Sequence, residues 1–424
     1  MCLIELTSTN PDFSFIIFKN PENGMQIRSI RKGKAYGYYP KNEPNRYMIY
    51  FRDDTEEMSY KEDKDQSFEY LNKLRYTSPI FVLNAITEFL HSSAKKQHEK
   101  DIIGQTHTFK SFAVQVDSYA FSTIIRINKF FDKFNIKITK KAQQTHEIEI
   151  TTQESIYMLL NFVIVYFGLI SALNENDLDL TENLIEKIIT SLNIIDASYY
   201  VRYILSSKIL TSKKLFETLK GSLEKPGIQL QYGHTGTQRL EYIKGLLNFD
   251  KPIIDVGCGE GAYAISFAQK LKKPGFKYYA IDINEDELAK VNKKAKEKEL
   301  DIITMNSHEK LIEHLDWNTK YDVIITEVIE HMGKEESQNI IRWVLDNVNF
   351  DKIIITTPNV EFNVNYMLGE QLRHDDHKWE LTREQFKGYL SEILPKDEYV
   401  IKYLDIGDIV NGIASTQGVL ITCS

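Results

Sequence analysis

Lys251-Pro-Ile-Ile-Asp-Val-Gly-Cys-Gly-Glu-Gly261 is the stretch whose reading decides the fold. An apolar strand runs into glycines at 257, 259 and 261, and a helix-like stretch from Ala262 to Leu271 follows. Glycine has no Cβ, so a turn of this kind lets a ligand approach the backbone closely. About twenty residues on, Tyr278-Tyr-Ala-Ile-Asp282 is another short strand ending in an acid, placed to accept hydrogen bonds from ribose hydroxyls. Strands and helices continue to alternate downstream, which argues for a mostly parallel sheet covered on both faces.

Beyond that unit, Tyr321-Asp-Val-Ile-Ile-Thr-Glu-Val-Ile-Glu-His331 reads as a buried strand ending in Glu327, with Glu330 and His331 close behind. If the chain turns helical there, spacings of three and four put all three side chains on one face. Two carboxylates and an imidazole at a strand's carboxyl end suit a divalent cation; acids at the positive end of a helix start are the alternative reading. A further buried strand, Lys352-Ile-Ile-Ile-Thr-Thr-Pro-Asn359, precedes Leu372-Arg-His-Asp-Asp-His-Lys-Trp-Glu-Leu-Thr-Arg-Glu-Gln-Phe386. His374 and His377 can each add an imidazole to that cation, or belong to a polar loop before a helix starting near Thr382.

Composition sets the frame. A chain of 424 residues suits two or three domains. Its three cysteines, Cys2, Cys258 and Cys423, are scattered and odd in number, which excludes a disulfide framework and fits a reducing, cytoplasmic location. Cys258 reads as a small filler of the glycine turn. The opening Met-Cys-Leu-Ile-Glu has no basic leader and reads as a strand. The apolar run Met158 to Leu173, interrupted by Asn161, falls short of the ~20 residues of a membrane span, so no membrane partner is expected. It reads as a buried helix, capped by Thr151 and Glu154. From 231 to 424 there are 23 Lys+Arg against 32 Asp+Glu, a net of −9. Such a half cannot hold long nucleic acid through a broad basic field. Arg373, Lys378, Arg383 and Lys387 are local candidates for phosphate contacts, each with solvated surface as the plainer reading.

Residues 1 to about 100 read as short strands (Phe13–Phe18, Gln26–Ile30, Tyr47–Phe51) and a helix from Ile80 to Leu90. From about 105 to 225 strands, notably His146–Ile150, give way to helices. Glu224-Lys-Pro-Gly-Ile-Gln-Leu-Gln-Tyr-Gly-His-Thr-Gly236 is the best linker candidate. The expected organisation is therefore an α+β N-terminal region, 1–230, and an α/β domain, 231–424. Val400–Ile406 and Gly418–Thr422, with an irregular loop between them, read as an antiparallel hairpin at the sheet edge.

The turn G-x-G-x-G, with Asp255 two residues ahead of it, resembles motif I of class I S-adenosylmethionine-dependent methyltransferases. The blocks T-E-V-I-E-H, T-P-N-V-E-F-N-V and R-H-D-D-H-K-W-E-L-T-R-E-Q-F resemble those of the small-RNA 3′-terminal ribose 2′-O-methyltransferase family. Gln238-Arg-Leu-Glu241 and Ala414-Ser-Thr-Gln-Gly-Val-Leu420 do so as well. Toward the N-terminus, Ile17-Phe-Lys-Asn-Pro21, Gly33-Lys-Ala-Tyr-Gly-Tyr-Tyr-Pro40 and Tyr76-Thr-Ser-Pro-Ile-Phe-Val82 are similar to the front half of the bacterial members. Ala172 to Ile188 and Ala197 to Leu219 match in outline. The resemblance implies a cation held by Glu327, Glu330, His331 and His377, and it is the resemblance, not spacing, that prefers His377 over His374. It implies S-adenosylmethionine bound through Asp255, Gly257, Gly259, Asp282 and Ser307; the segment Thr304-Met-Asn-Ser307 lacks the family's usual glycine before the serine. It also implies that the front region activates the ligase of a polynucleotide kinase-phosphatase-ligase partner during RNA repair.

The implied chemistry is physically coherent. A ribose 2′-hydroxyl is a poor nucleophile at neutral pH, and a cation on that oxygen stabilises its alkoxide. Four protein ligands leave two octahedral positions, which the 2′- and 3′-oxygens of a terminal ribose fit as a chelate. An RNA with a free 3′ end is then the expected substrate. Two imidazoles beside two carboxylates favour manganese, iron or cobalt over magnesium, with manganese preferred. Two competing readings are a methyltransferase for a small metabolite, with the acids merely structural, and an adaptor whose chief work is ligase activation.

Overall fold

Every second residue of Cys2–Ser8 is buried, the period of a strand with one covered face. The computed structural model describes all residues except 31–32, 54–76, 175–179, 273–274, 369–370, 395–397 and 424. Tyr76, and residues 175–179 within the Ala172–Ile188 match, therefore lie outside the described residues. The chain divides into two compact units, Met1–Glu224 and Lys225–Ser424.

The first unit is built on seven strands: β1 (Cys2–Ser8), β2 (Gln26–Ile30), β3 (Gly33–Tyr38), β4 (Arg46–Asp53), β5 (His107–Gln115), β6 (Asn135–Lys140) and β7 (Thr145–Thr152). They form one antiparallel sheet in the order β2-β3-β4-β1-β5-β7-β6. The helix Ile156–Leu173 is long and apolar enough to cross a membrane, yet most of it is buried inside the unit. Its cap differs from the expected one, because Thr151 is part of β7. Instead the Ser155 hydroxyl accepts from the Met158 amide, and the buried Asp101 carboxylate accepts from the Ile156 and Tyr157 amides at 2.8 and 2.9 Å. These bonds satisfy donors that a helix start leaves open.

Phe13–Ile16 is a short helix rather than the start of a strand. The Asn10 side chain accepts from the Asp12 amide at 2.9 Å and closes a turn that apolar patterning alone does not reveal. Past Ile80–Asn84 the helix widens into a π-helical turn, Ala85–Phe89. Three further helices, Glu182–Ile194, Tyr199–Ile209 and Lys213–Leu223, are joined by Arg202, which is 1% exposed. Its guanidinium donates to the carbonyls of Leu192, Ala197 and Leu223 and to Asn193 Oδ1, supplying donors to helix ends that lack them.

The second unit holds β8 (Ile228–Gln229), β9 (Ile253–Val256), β10 (Tyr278–Ile281), β11 (Ile302–Met305), β12 (Tyr321–Thr326), β13 (Phe350–Pro358), β14 (Tyr399–Val410) and β15 (Ile413–Cys423). The sheet order is β11-β10-β9-β12-β13-β15-β14-β8; the first five strands are parallel and the last three antiparallel. All four residues of β9 and of β10, and all six of β12, are buried, as strands covered on both faces require. Residues 225–230, read in the sequence as linker, contribute β8, and the Asp408 carboxylate accepts from the Gln231 amide at 2.6 Å. The terminal hairpin is longer and tighter than its apolar run indicates. Asn411 and Gly412, at φ 50° and 83°, make a two-residue turn of the type whose twist matches paired strands.

Replacing Arg202 with alanine should destabilise the first unit by about 3 kcal/mol or more, since buried carbonyls lose charge-assisted partners. Denaturant unfolding of the full chain checks this, and the transition of the second unit should stay in place.

Candidate functional site

The strand order reverses between β9 and β12, which lie side by side and parallel, Ile253 opposite Asp322 and Val256 opposite Ile325. The chain leaves their carboxyl ends in opposite directions, and such a point opens a crevice for ligands. On one wall the glycine turn is pinned to β10, with the Gly257 and Cys258 amides both donating to the Ile281 carbonyl. All three glycines have positive φ, but their surroundings differ. A Cβ on Gly257 would stand 2.3 Å from Val328 Cγ2 and one on Gly261 2.8 Å from Val291 Cγ2, so these two serve packing. A Cβ on Gly259 would meet nothing within 4 Å, so Gly259 is the glycine of the three with open space beside it. Cys258 is buried, and burial pushes its thiol well above the usual range, as suits a filler.

Asp282 braces this wall. One carboxylate oxygen accepts from the Gly259 amide at 2.8 Å and the other from the Asn284 amide at 2.9 Å, and each keeps a lone pair for a ribose hydroxyl. Ile283 beside it is 91% exposed, an apolar side chain at the mouth of the crevice that sequence reading passed over. Asp255 lies beneath the turn, fully buried. It accepts from the Tyr278 hydroxyl at 2.8 Å, its other oxygen is unpartnered, and burial pushes its carboxyl up to about 7 against the pull of that bond. Ser307 donates to Glu309 at 2.6 Å.

The opposite wall carries the acids and imidazoles. No helix follows β12 directly. Glu327 takes a left-handed conformation at φ 54°, and a short 3-10 turn, Ile329–His331, carries the next two groups before the helix Lys334–Asn347 begins. A non-glycine residue held in that region is a local strain that functional sites tolerate. Glu330 is fully buried: one oxygen accepts from the Thr357 hydroxyl at 3.1 Å and the other has no partner. Burial, with the neighbouring Glu327 charge, holds its carboxyl well above the ordinary range.

His377 arrives from the loop after β13, fastened to this turn by the Lys378 amide, which donates to the Glu330 carbonyl at 2.8 Å. Ligand atoms of Glu330, His331 and His377 lie within 4.8 Å of one another. His377 Nδ1 sits 2.7 Å from Glu380 Oε1, an arrangement that leaves Nε2 for a cation. Burial works to raise the Glu380 carboxyl, but bonds from His377, the Arg373 amide and Asn363 outweigh it and hold it below its usual value. An unpartnered buried carboxylate oxygen, two adjacent imidazoles and an orienting carboxylate fit a divalent cation.

The structure thus brings together three of the four expected ligands. The fourth, Glu327, stands next to them but is paired with Arg239 at 3.1 Å and accepts from the Thr356 hydroxyl at 3.2 Å. His374 is exposed, its ring 5.1 Å from that of His377, and it lies outside the cluster. Arg239 also donates to the Tyr263 hydroxyl; its only sequence signal was its place in Gln238-Arg-Leu-Glu241. Glu380 stood in plain view three residues after His377.

Two of the four basic candidates are committed elsewhere. Arg373 clamps the Ser415 and Asn359 carbonyls and Asn363 Oδ1, while Arg383 binds the Leu404 carbonyl and Asp405. Lys387 pairs with Glu384, and Lys378 is exposed.

The glycines yield a paired expectation. Gly257→Ala should cost stability by about 1–3 kcal/mol through overpacking against Val328. Gly259→Ala should cost only about 1 kcal/mol for its left-handed backbone, yet weaken S-adenosylmethionine binding more. Thermal unfolding and calorimetric titration of both variants separate packing from ligand approach.

Residues 3–227 match the family model described as the Hen1 N-terminal domain, and residues 247–399 match one described as a methyltransferase domain. Similar curated proteins include the small RNA 2′-O-methyltransferases of Xenopus tropicalis and Rattus norvegicus. The first is 26% identical over 184 residues, 40% of this chain and 49% of that protein; the second is 26% identical over 188 residues, 40% and 45%. The chain therefore spans about half the length of the curated relatives it matches. Among solved structures, "Structure of the Pnkp1/Rnl/Hen1 RNA repair complex" contains a chain with TM-score 0.81 at 22% identity, covering 99% of this chain and 100% of that one. "Structure of Pnkp1/Rnl/Hen1 complex" gives 0.78 at 21%, with 100% of both chains covered. These two likenesses establish a shared fold over both units. With more than half its residues matched by the Hen1 N-terminal model and a methyltransferase domain behind them, the chain belongs to the Hen1 family.

Proposed function

We propose that this chain transfers a methyl group from S-adenosylmethionine to the 2′-hydroxyl of the 3′-terminal ribose of RNA, with a divalent cation held by Glu327, Glu330, His331 and His377. The observation that carries this reading is the convergence of Glu330, His331 and His377 across the crevice from the glycine turn, whose Gly257 touches Val328 on the same segment. The names of the curated relatives support the RNA substrate. The repair-complex titles of the matched structures support a repair partner, on this reading a polynucleotide kinase-phosphatase-ligase served by the N-terminal unit.

The cation supplies positive charge that lowers the proton affinity of a ribose hydroxyl, and two imidazoles beside carboxylates favour manganese. The chain's own residues do the rest. Glu380 fixes the His377 ring, Thr356 and Thr357 orient the two glutamates, and Arg239 answers the charge of Glu327. Asp282 and the open face of Gly259 receive the cofactor's ribose, and Ile283 offers an apolar surface next to it. Because one substrate end sits at a small cluster, the acidic balance of this unit is no obstacle to activity on RNA ends.

The decisive assay is methyl transfer to a short RNA by the full chain. Transfer should need a free 2′,3′-diol at the 3′ end, stop with chelator and return with manganese; chelator-resistant transfer, or equal transfer to a 2′-deoxy 3′ end, removes the reading. His377→Ala should abolish transfer with cofactor binding intact, His374→Ala should reduce it less, and Glu380→Ala should weaken cation affinity roughly 10–100-fold. A fragment beginning at Lys225, which keeps β8, should fold and retain transfer; a folded but inactive fragment would assign part of the site to the first unit.

A further inference from the structure

Two stretches singled out in the sequence, Ile17-Phe-Lys-Asn-Pro21 and Gly33-Lys-Ala-Tyr-Gly-Tyr-Tyr-Pro40, have no part in methyl transfer, and in the first unit they meet around Phe89. The Lys19 ammonium lies 4.4 Å over the Phe89 ring, and the Arg28 guanidinium lies 5.7 Å from the same ring. Lys19 is only 4% exposed. Tyr47 stacks on Phe89 at 6.4 Å, and its buried hydroxyl has no hydrogen-bond partner. Gly37 makes this packing possible: a Cβ there would fall 2.3 Å from Tyr47 Oη and 2.4 Å from Phe89 Cε1. The Tyr39 hydroxyl donates to the Lys19 carbonyl at 2.9 Å and holds the lysine in place.

No carboxylate among the described residues answers the Lys19 ammonium. The nearest acid in sequence to Phe89, Glu88, is engaged by Lys187, and among the described residues the hydrogen bond of the Arg28 guanidinium is a long one to the Glu88 carbonyl at 3.4 Å. Burial and the Arg28 charge push the ammonium down to about 8. A buried charge without a counter-ion is costly unless something supplies one. Attraction to an aromatic face offsets only part of that cost.

We propose that Lys19, Arg28 and Tyr47 form an oxyanion site in the N-terminal unit, for a ligand of the phosphate class. A charge count favours phosphate over carboxylate: two cations face the site, and a phosphate group near neutral pH carries about −1.5 to −2. An ammonium, a guanidinium and a hydroxyl are the donors such a group takes. Arg28 is exposed, whereas Lys19 and Tyr47 are buried beside the same Phe89 ring. Free phosphate and a phosphate ester share this chemistry.

Calorimetric titration of the full chain with inorganic phosphate tests the site, with acetate at equal ionic strength as the carboxylate arm and a nucleoside 5′-monophosphate as the ester arm. Phosphate should bind saturably, and Lys19→Met and Arg28→Gln should each weaken it roughly tenfold or more. Lys19→Met removes a buried unpaired charge, so it should also raise the thermal midpoint without ligand, whereas loss of a merely structural lysine would lower it. Arg28 is exposed, so Arg28→Gln keeps the test valid if Lys19→Met folds poorly. Tighter binding of the monophosphate, lost in both variants, would assign the site to phosphate esters; equal binding would assign it to the free ion. Absence of saturable phosphate binding, equal affinity in wild type and Arg28→Gln, or acetate binding as well as phosphate would overturn the proposal.

Discussion

The parallel pairing of β9 with β12 is the constraint on which the second unit's chemistry depends. Two strands that lie side by side but belong to opposite windings of the sheet must send their following segments apart, and the space between those segments is the crevice. The glycine turn and the Glu327 turn are the first residues on either side of it. Their contact through Gly257 and Val328 sets how closely the two walls approach, which is why one glycine is required by packing and another by the open space beside it.

Electrostatics divides the two walls. A fully buried Glu330 beside a second carboxylate is unfavourable by itself, because each negative charge disfavours the other and burial disfavours both. The protein offsets this only partly, with Thr357 on Glu330 and Arg239 with Thr356 on Glu327. Glu380, equally deep, is satisfied by three donors and stays ionised. The contrast distinguishes a carboxylate that orients a neighbour from one left with a free oxygen. Glu330 is of the second kind, whereas Glu327 would have to exchange its bonds with Arg239 and Thr356 to reach a cation.

Much of this was legible in the sequence, and the remainder was hidden for definite reasons. Strands β9, β10, β12 and β13 are continuous apolar runs with no competing period, and the glycines and acids that end them sit at fixed offsets. Glu330 and His331 lie together although the expected helix face, which was to include Glu327, is absent, since a 3-10 turn brings neighbours together as a helix does. Phe13–Ile16 was misread because an Asn10 turn overrides apolar patterning, and the cap of Ile156–Leu173 because Asp101 reaches it from 55 residues away. The pairing of Arg239 with Glu327, 88 positions apart by their numbers, is tertiary geometry and carries no local pattern.

The Arg373 clamp ties the proposed cation loop to a part of the chain made after it. Arg373 holds the Ser415 carbonyl, and Gln417 donates to the Leu381 and Pro358 carbonyls at 2.7 and 3.3 Å, so β15 is the anvil against which the His377 loop is shaped. A ribosome that has reached residue 400 has already produced every proposed cation ligand, yet the loop carrying His377 still lacks its bonds to β15. A premature stop or frameshift in that interval therefore yields a polypeptide with the full set of proposed ligands but without the β15 bonds that shape their loop, and during normal synthesis those bonds form only when the last antiparallel strand slots in between its neighbours.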